Sequence, residues 1–214
     1  VALGGQGAPL VPIGDLLLFK DYEDCLNIGG FSNISHKQNG NITSYDICPV
    51  NIVLNYLCQK IGLTFDDGGK IAQSNPIDEK LLSQLDALPY YKDLKSGNSL
   101  GKEWVEENIF PILENSSISV KEQIATYTLH AAKQISRNIK GRTLATGGGA
   151  YNDYLMKLIR QKTTFAIEIA ERTITDFKEA MIFAFLGVLR VRNEVNCLQS
   201  VTGASRSCCS GTIL

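Results

Sequence analysis

The chain has 214 residues, of which 44% are hydrophobic and 20% charged, and its formal net charge is −1. This composition is typical of a globular protein with a substantial core, and it excludes the disordered and fibrous classes. Charges of both signs are scattered, so we expect no surface for nucleic acid and none for an anionic membrane. No apolar run approaches the ~20 residues of a membrane span.

In chain order, the amino-terminal part predicts a loop and then a small antiparallel sheet. The chain opens on a glycine-rich loop with nothing in front of it, which is why we expect a fragment of a longer protein. Runs of β-formers, two of them separated by an Asn-Gly-Asn turn, then predict a three-stranded meander over residues 25–46. Its strands are expected at residues 25–28, 31–35 and 42–45.

After residue 49 the apolar residues follow helical spacing, interrupted by two short strand patterns. We expect helices at residues 49–61, 79–88, 102–108, 119–139, 151–161 and 176–191, and strands at 143–146 and 165–170. Ser119 and Glu122 form a predicted capping box. The last helix is nearly all apolar, which predicts burial on most sides. This order of elements predicts one mixed α/β domain.

The six cysteines, at positions 25, 48, 58, 197, 208 and 209, do not favour a metal site. No two of them form a Cys-x-x-Cys pair, and only two histidines are present. Disulfides in an exported chain are an alternative, but we expect free thiols in a reducing cytoplasm.

A glycine pair separates the first two predicted strands, in the segment Asn27-Ile28-Gly29-Gly30-Phe31-Ser32-Asn33. Glycines without a Cβ let backbone N–H groups approach an anion closely. Asn27 and Asn33 could position phosphate oxygens or metal-bound waters. The alternative interpretation of Gly29 and Gly30 is an ordinary turn.

A second glycine segment, Thr146-Gly147-Gly148-Gly149-Ala150-Tyr151-Asn152, follows a predicted strand and opens a helix. A helix amino terminus can hold a nucleotide or its phosphates. Three consecutive glycines cost conformational entropy, so we expect more than a packing role. The segment matches neither a P-loop nor a Rossmann fingerprint.

These motifs, taken together and in order, resemble those of anhydro-N-acetylmuramic acid kinases along essentially the whole chain. The further matching segments are Gly4-Gly5-Gln6-Gly7-Ala8-Pro9, residues 46–51, residues 99–104, Lys178-Glu179-Ala180 and Val201-Thr202-Gly203-Ala204. The resemblance implies an actin/hexokinase-like (ribonuclease H-like) α/β lobe with a mixed sheet and flanking helices. It also implies that residues 1–214 are the C-terminal lobe of a two-lobed sugar kinase whose N-terminal lobe this chain lacks.

The activity that the resemblance implies is ATP- and Mg²⁺-dependent phosphorylation of 1,6-anhydro-N-acetylmuramic acid, with water opening the anhydro ring. The general-base Asp is expected upstream of Val1, so this chain alone should be inactive. The resemblance further implies a cytoplasmic protein with no direct metal ligand in this chain, and it leaves a homodimer open. Two alternatives remain: another sugar or acyl-phosphate kinase of the superfamily, or a non-catalytic nucleotide-binding module.

The resemblance also points to residues outside the glycine segments. It places Gln6 and Asn51 at the substrate cleft. Glu179, on the apolar helix, is either half of a structural ion pair or a group at the sugar or the attacking water. Asp46 either faces the cleft or caps the following helix.

Two departures from the family pattern accompany this resemblance. The chain has Cys48-Pro49-Val50-Asn51 where Gly-Pro-Gly-Asn is common in the family. It also has Gly97-Asn98-Ser99 where the family has Pro-Lys-Ser, so any contact carried by that lysine is in doubt.

Overall fold

The structure, a computed structural model, describes residues 2–212. One mixed sheet is formed by β1 (Asp24–Ile28), β2 (Phe31–Gln38), β3 (Asn41–Pro49), β4 (Thr143–Thr146) and β5 (Ile167–Ile169). Its strand order is β3-β2-β1-β4-β5. β2 is antiparallel to both of its neighbours, whereas β4 is parallel to β1 and to β5. The predicted meander is therefore confirmed.

Helices flank the sheet on both faces. They are α1 (Pro12–Leu18), α2 (Asn51–Gln59), α3 (Lys70–Ser74), α4 (Glu79–Asp86), α5 (Lys102–Asn108), α6 (Phe110–Glu114), α7 (Val120–Arg137), α8 (Asp153–Gln161), α9 (Arg172–Val191) and α10 (Gln199–Thr202). The predicted capping box is present, with Ser119 and Glu122 bonded reciprocally at the start of α7. The helix expected from residue 49 begins at Asn51, because Pro49 ends β3 and pairs with Phe31.

The two faces of the sheet carry different layers, as the alternation of β2 demonstrates. Ile34 points into the main core, which contains Ile124 and Tyr127 of α7. Lys37 points to the opposite face and donates to the carbonyl oxygen of Asp15 in α1 at 3.2 Å. Since successive side chains of a strand face opposite sides, α7 covers one face and α1 the other. A smaller apolar cluster joins α1 to α9.

The prediction that the apolar helix at residues 176–191 is buried on most sides is wrong. α9 buries one stripe only, which consists of Thr175, Lys178, Ile182, Leu186 and Leu189. On other sides Phe177 is 62% exposed and Val191 is 75% exposed. The apolar composition of a helix indicates what it could bury, but it does not indicate how many neighbours pack against it.

The topology confirms the predicted fold class. An antiparallel meander followed by two parallel strands, with helices on both faces, is the mixed α/β sheet with flanking helices that the resemblance implied. Within residues 2–212 no helix has the length and apolar content that crossing a membrane requires.

Candidate functional site

Both glycine segments lie at the same edge of the sheet. Gly29 follows β1 and Gly147 follows β4, and these two strands are parallel with Asn27 opposite Thr146. Parallel strands end at one edge, which is where open α/β sheets bind their ligands. The parallel pairing therefore explains why two motifs 118 positions apart along the chain meet in space.

A cleft of about 540 Å³ opens at this edge, between the sheet, the glycine-rich loop before α1, and α9. Seven of the predicted site residues line it: Gln6, Asn27, Gly29, Asn33, Asp46, Gly147 and Glu179. The five others are absent from its lining: Gly30, Asn51, Gly148, Gly149 and Asn152. The structure thus brings together the greater part of the predicted set.

The three consecutive glycines have three different environments. A Cβ at Gly147 would lie 2.6 Å from Oδ1 of Asn27 and 2.7 Å from the carbonyl oxygen of Ile28, and its φ is +85°. A Cβ at Gly149 would collide with the side chain of Ile28 and lie 2.9 Å from its carbonyl oxygen. Close packing against β1 therefore accounts for two of the three glycines, and the expectation of more than a packing role stays a prediction.

Gly148 is the open member of the triplet. The nearest atom to a Cβ at this position is Nδ2 of Asn51, at 4.0 Å. Asn51 begins α2, and its N–H donates to the carbonyl oxygen of Gly29 at 3.2 Å. A Cβ at Gly30 would meet nothing within 4 Å. The two glycine turns thus bring together Gly30, Gly148 and Asn51, which lie outside the lining of the cleft. Gly30 and Gly148 each have free space where a side chain would stand.

Asn152 has a structural role in this fold. Its Oδ1 accepts the N–H of Leu155 at 3.0 Å and so caps α8. Helix α8 begins at Asp153, after a single 3₁₀ turn over Gly148–Tyr151, rather than at residue 151 as expected. The proposed contact of Asn152 with a nucleotide stays a prediction.

Asp46 lies within β3, and the interpretation that it caps α2 is wrong because the cap position is Val50. Its Oδ2 accepts the N–H of Leu100 at 2.8 Å and the hydroxyl of Ser99 at 3.3 Å. Burial raises the pKa of this carboxyl, although the two hydrogen bonds act in the opposite direction. Asp46 therefore holds the loop at residues 97–99 against the cleft.

Gln6 is held in the cleft by the end of α10 and the segment that follows it. The N–H of Gln6 donates to the carbonyl oxygen of Thr202 at 2.9 Å, and the N–H of Ser205 donates to Leu3 at 3.0 Å. A Cβ at Gly5 would lie 2.8 Å from the backbone nitrogen of Ala204. The close packing of these segments explains the glycine at position 5.

Glu179 is exposed and lines the cleft, so the interpretation as half of a buried ion pair is wrong. The buried pair is formed by its neighbour: Nζ of Lys178 lies 2.7 Å from Oδ1 of Asp15, with side chains 8% and 4% exposed. Adjacent helical positions point about 100° apart. The same turn of α9 can therefore bury Lys178 and present Glu179 to the cleft.

The sequence reasoning missed the Lys178–Asp15 pair, although a signal was present. Lys178 lies three residues after Thr175 and four before Ile182, on the stripe that faces the sheet. A lysine on such a stripe needs a buried carboxylate partner. Asp15 is the acidic residue of α1, the helix that packs on α9.

The side chains at the cleft determine which ion or cofactor it can hold. Among residues 2–212 no group of three or more His, Cys, Asp or Glu side chains is placed to bind a metal ion. The cleft is lined by the amide side chains of Gln6, Asn27 and Asn33, by Lys178, and by the carboxylates of Asp15, Asp46, Asp176 and Glu179. These carboxylates repel a bare polyanion, so a phosphate ligand fits here only together with a cation that offsets its charge.

Comparison with known proteins decides the family. The sequence profile described as anhydro-N-acetylmuramic acid kinase matches residues 1–214. The chain belongs to the anhydro-N-acetylmuramic acid kinase family. A relative with that name from Bacillus cereus (strain Q1) is 30% identical, and the match covers 100% of this chain and 62% of the relative. A second, from Cupriavidus pinatubonensis, is 33% identical, and the match covers 96% of this chain and 60% of the relative. The chain thus spans about three fifths of the length of these family members.

The chain also resembles a solved structure of lower sequence identity. The activator of the 2-hydroxyisocaproyl-CoA dehydratase from Clostridium difficile, with bound ADPNP, is 16% identical over 86% of this chain and 67% of that chain, with a TM-score of 0.49. A likeness at this level supports no conclusion about a ligand.

One departure from the family pattern, Gly97-Asn98-Ser99, lies in the lining of the cleft.

Proposed function

We propose that this chain forms part of a kinase that uses ATP to phosphorylate 1,6-anhydro-N-acetylmuramic acid while water opens the anhydro ring. The observation that carries the proposal is the convergence of both glycine turns, Gln6 and Glu179 on one cleft of a member of this family. The product is the 6-phosphate of N-acetylmuramic acid, in the recycling of cell-wall sugar. This chain supplies the C-terminal, nucleotide-binding lobe in this proposal.

The phosphate side of the cleft is assigned to the two glycine turns. The nucleotide supplies the phosphoryl group when bound, and Mg²⁺ neutralises its phosphate charge. Gly30 and Gly148 leave room for a ligand to reach the backbone. Asn27 and Asn33, paired across β1 and β2, are positioned to hold phosphate oxygens or the waters around Mg²⁺. We assign no direct metal ligand to this chain.

The sugar side is assigned to Gln6 and Glu179. Gln6 is exposed on a loop fixed at its backbone, so its amide can donate to and accept from a sugar without moving the loop. Glu179 is a carboxylate open to the cleft, which can orient the sugar or the water that attacks its anomeric carbon. The base that removes the proton from this water is proposed to be an Asp upstream of Val1. We propose a cytoplasmic location, and a homodimer stays a prediction.

Substitution of Glu179 by Gln in the full-length protein tests this assignment. The change keeps the shape of the side chain and removes its charge, so we expect the turnover rate to fall by roughly one to three decades. Because Glu179 is exposed, the free energy of unfolding should change by less than ~0.5 kcal/mol. ATP affinity should stay within about twofold of the parent, since the assigned phosphate contacts are unaffected.

Glu171→Gln is the matched control. Glu171 is also exposed, precedes the first residue of α9, makes no side-chain cap bond, and is absent from the lining of the cleft. It should retain the parent rate. Equal turnover by Glu179→Gln and Glu171→Gln would remove Glu179 from the site.

A further inference from the structure

Two cysteines near the carboxyl end of the chain lie directly opposite each other. The N–H of Cys197 donates to the carbonyl oxygen of Cys208 at 3.0 Å, and the N–H of Cys208 donates to that of Cys197 at 2.9 Å. They form an antiparallel bridge outside the main sheet. Residues that exchange both hydrogen bonds have Cα atoms about 5.5 Å apart. Disulfide-linked cysteines have Cα atoms about 5.5–6 Å apart.

The thiols as well as the backbones are neighbours. The pKa of the Cys197 thiol is raised, first by burial and then by the charge and the hydrogen bond of the Cys208 thiol. Both residues are free cysteines of intermediate exposure, so a small reagent can reach them. By contrast, the cysteines at positions 25, 48 and 58 are buried.

The next residue, Cys209, is a poor partner for Cys197. Consecutive side chains of an extended strand point to opposite sides. Consistent with this alternation, the Sγ atom of Cys209 accepts a hydrogen bond from Nη1 of Arg190, a residue of α9, at 3.7 Å. The geometry therefore selects Cys208 rather than its neighbour.

The segment between the two cysteines supports two walls of the cleft. Thr202 and Ser205 form the backbone bonds that hold the loop of Gln6. The carbonyl oxygen of Ser200 accepts the hydroxyl of Ser96, next to the loop at residues 97–99. A covalent link at the base of this segment would restrict the motion of both cleft loops.

We propose that Cys197 and Cys208 are a thiol–disulfide modification site, and that their oxidation locks the segment that holds the Gln6 loop. The oxidant is a small-molecule disulfide of the glutathione class. One cysteine thiolate attacks a sulfur of this disulfide and releases one thiol. The second cysteine then attacks the mixed disulfide and releases the other thiol. Two protein thiols are oxidised by two electrons, and one small disulfide is reduced to two thiols.

The bond can be detected directly by mass spectrometry. The full-length protein is incubated with oxidised glutathione at pH 8.5, where the thiolate is more populated than at pH 7, and it is digested without reduction. Trypsin cleaves after Arg192 and Arg206, so the bond joins two peptides that are otherwise separate. We expect a linked pair, two hydrogens lighter than the sum of its peptides, that dithiothreitol separates.

Two variants check the assignment. Cys209→Ser should keep the linked pair, and Cys208→Ser should lose it. If the parent forms only single glutathione adducts, or if Cys208→Ser links as fast as the parent through Cys209, the assigned pair is wrong.

Hydrogen exchange tests the proposed effect on the loop. Closing a loop of about a dozen residues should reduce its opening by roughly ten- to a hundredfold. The amide of Gln6, which donates to Thr202, should then exchange more slowly by a similar factor after oxidation. The amide of Leu155, bonded to Asn152 at the start of α8, should be unchanged. A linked protein with unchanged exchange at Gln6 would overturn the locking effect.

Discussion

At the scale of single residues, the three glycines after β4 differ in the reason why each position has no side chain. Gly147 and Gly149 lie against the backbone of Ile28, whereas Gly148 meets only the amide of Asn51, at 4.0 Å. The sequence indicates a ligand site at the triplet, but it does not distinguish its members. That distinction depends on the neighbouring strand, whose position comes from tertiary pairing.

This difference yields a matched pair of substitutions. Gly149→Ala places a methyl group against Ile28 and should destabilise the fold by ~1–3 kcal/mol through overpacking. Gly148→Ala has open space and should leave the melting temperature nearly unchanged. Its methyl group lies where we propose the nucleotide approaches, so ATP affinity should fall by about tenfold, or ~1.4 kcal/mol.

Nucleotide affinity by calorimetry and thermal unfolding, measured on the same preparations, test this pair. Unchanged ATP affinity in a folded Gly148→Ala variant would mean that the triplet is only a turn.

At the scale of elements, the packing of α1 on α9 forms the wall of the cleft opposite the sheet. A small apolar cluster and the buried pair of Lys178 with Asp15 join the two helices. The hydrophobic pattern predicts α9 as a helix but overestimates its burial, since composition does not report which faces have neighbours. The ion pair depends on a contact between segments far apart in sequence, which no local pattern contains.

Breaking this pair should cost stability. Lys178→Met leaves the carboxylate of Asp15 buried without its partner, and we expect a loss of ~3–5 kcal/mol in the free energy of unfolding. Adding Asp15→Asn removes the stranded charge and should restore most of that loss. The control Lys157→Met changes an exposed lysine of α8 and should stay within ~0.5 kcal/mol of the parent.

Chemical denaturation of the four proteins gives the required double-mutant cycle. Additive effects of Lys178→Met and Asp15→Asn would contradict an energetic link between α1 and α9.

At the scale of the whole molecule, the sequence predicts the sheet better than the site. The meander, β4 and the capped α7 follow from alternation, an Asn-Gly turn and a capping box, all of which are local. Helix α1 was missed because its run from Leu16 to Phe19 is too short to show a period. The parallel pairing of β1 and β4 brings Gly29 and Gly147 together. Gln6 and Glu179 join them through contacts with α10 and between α1 and α9, and the family resemblance anticipated this convergence where periodicity could not.

The central claim is that this cleft belongs to a kinase for an anhydro amino sugar. The most direct test is a coupled assay of the full-length protein with ATP, Mg²⁺ and a sugar panel in ¹⁸O-labelled water. The account predicts the highest kcat/KM for 1,6-anhydro-N-acetylmuramic acid. It also predicts that the 6-phosphate product carries one ¹⁸O atom at its anomeric carbon. A higher kcat/KM for N-acetylmuramic acid or N-acetylglucosamine, or a product without the heavy oxygen, would contradict it.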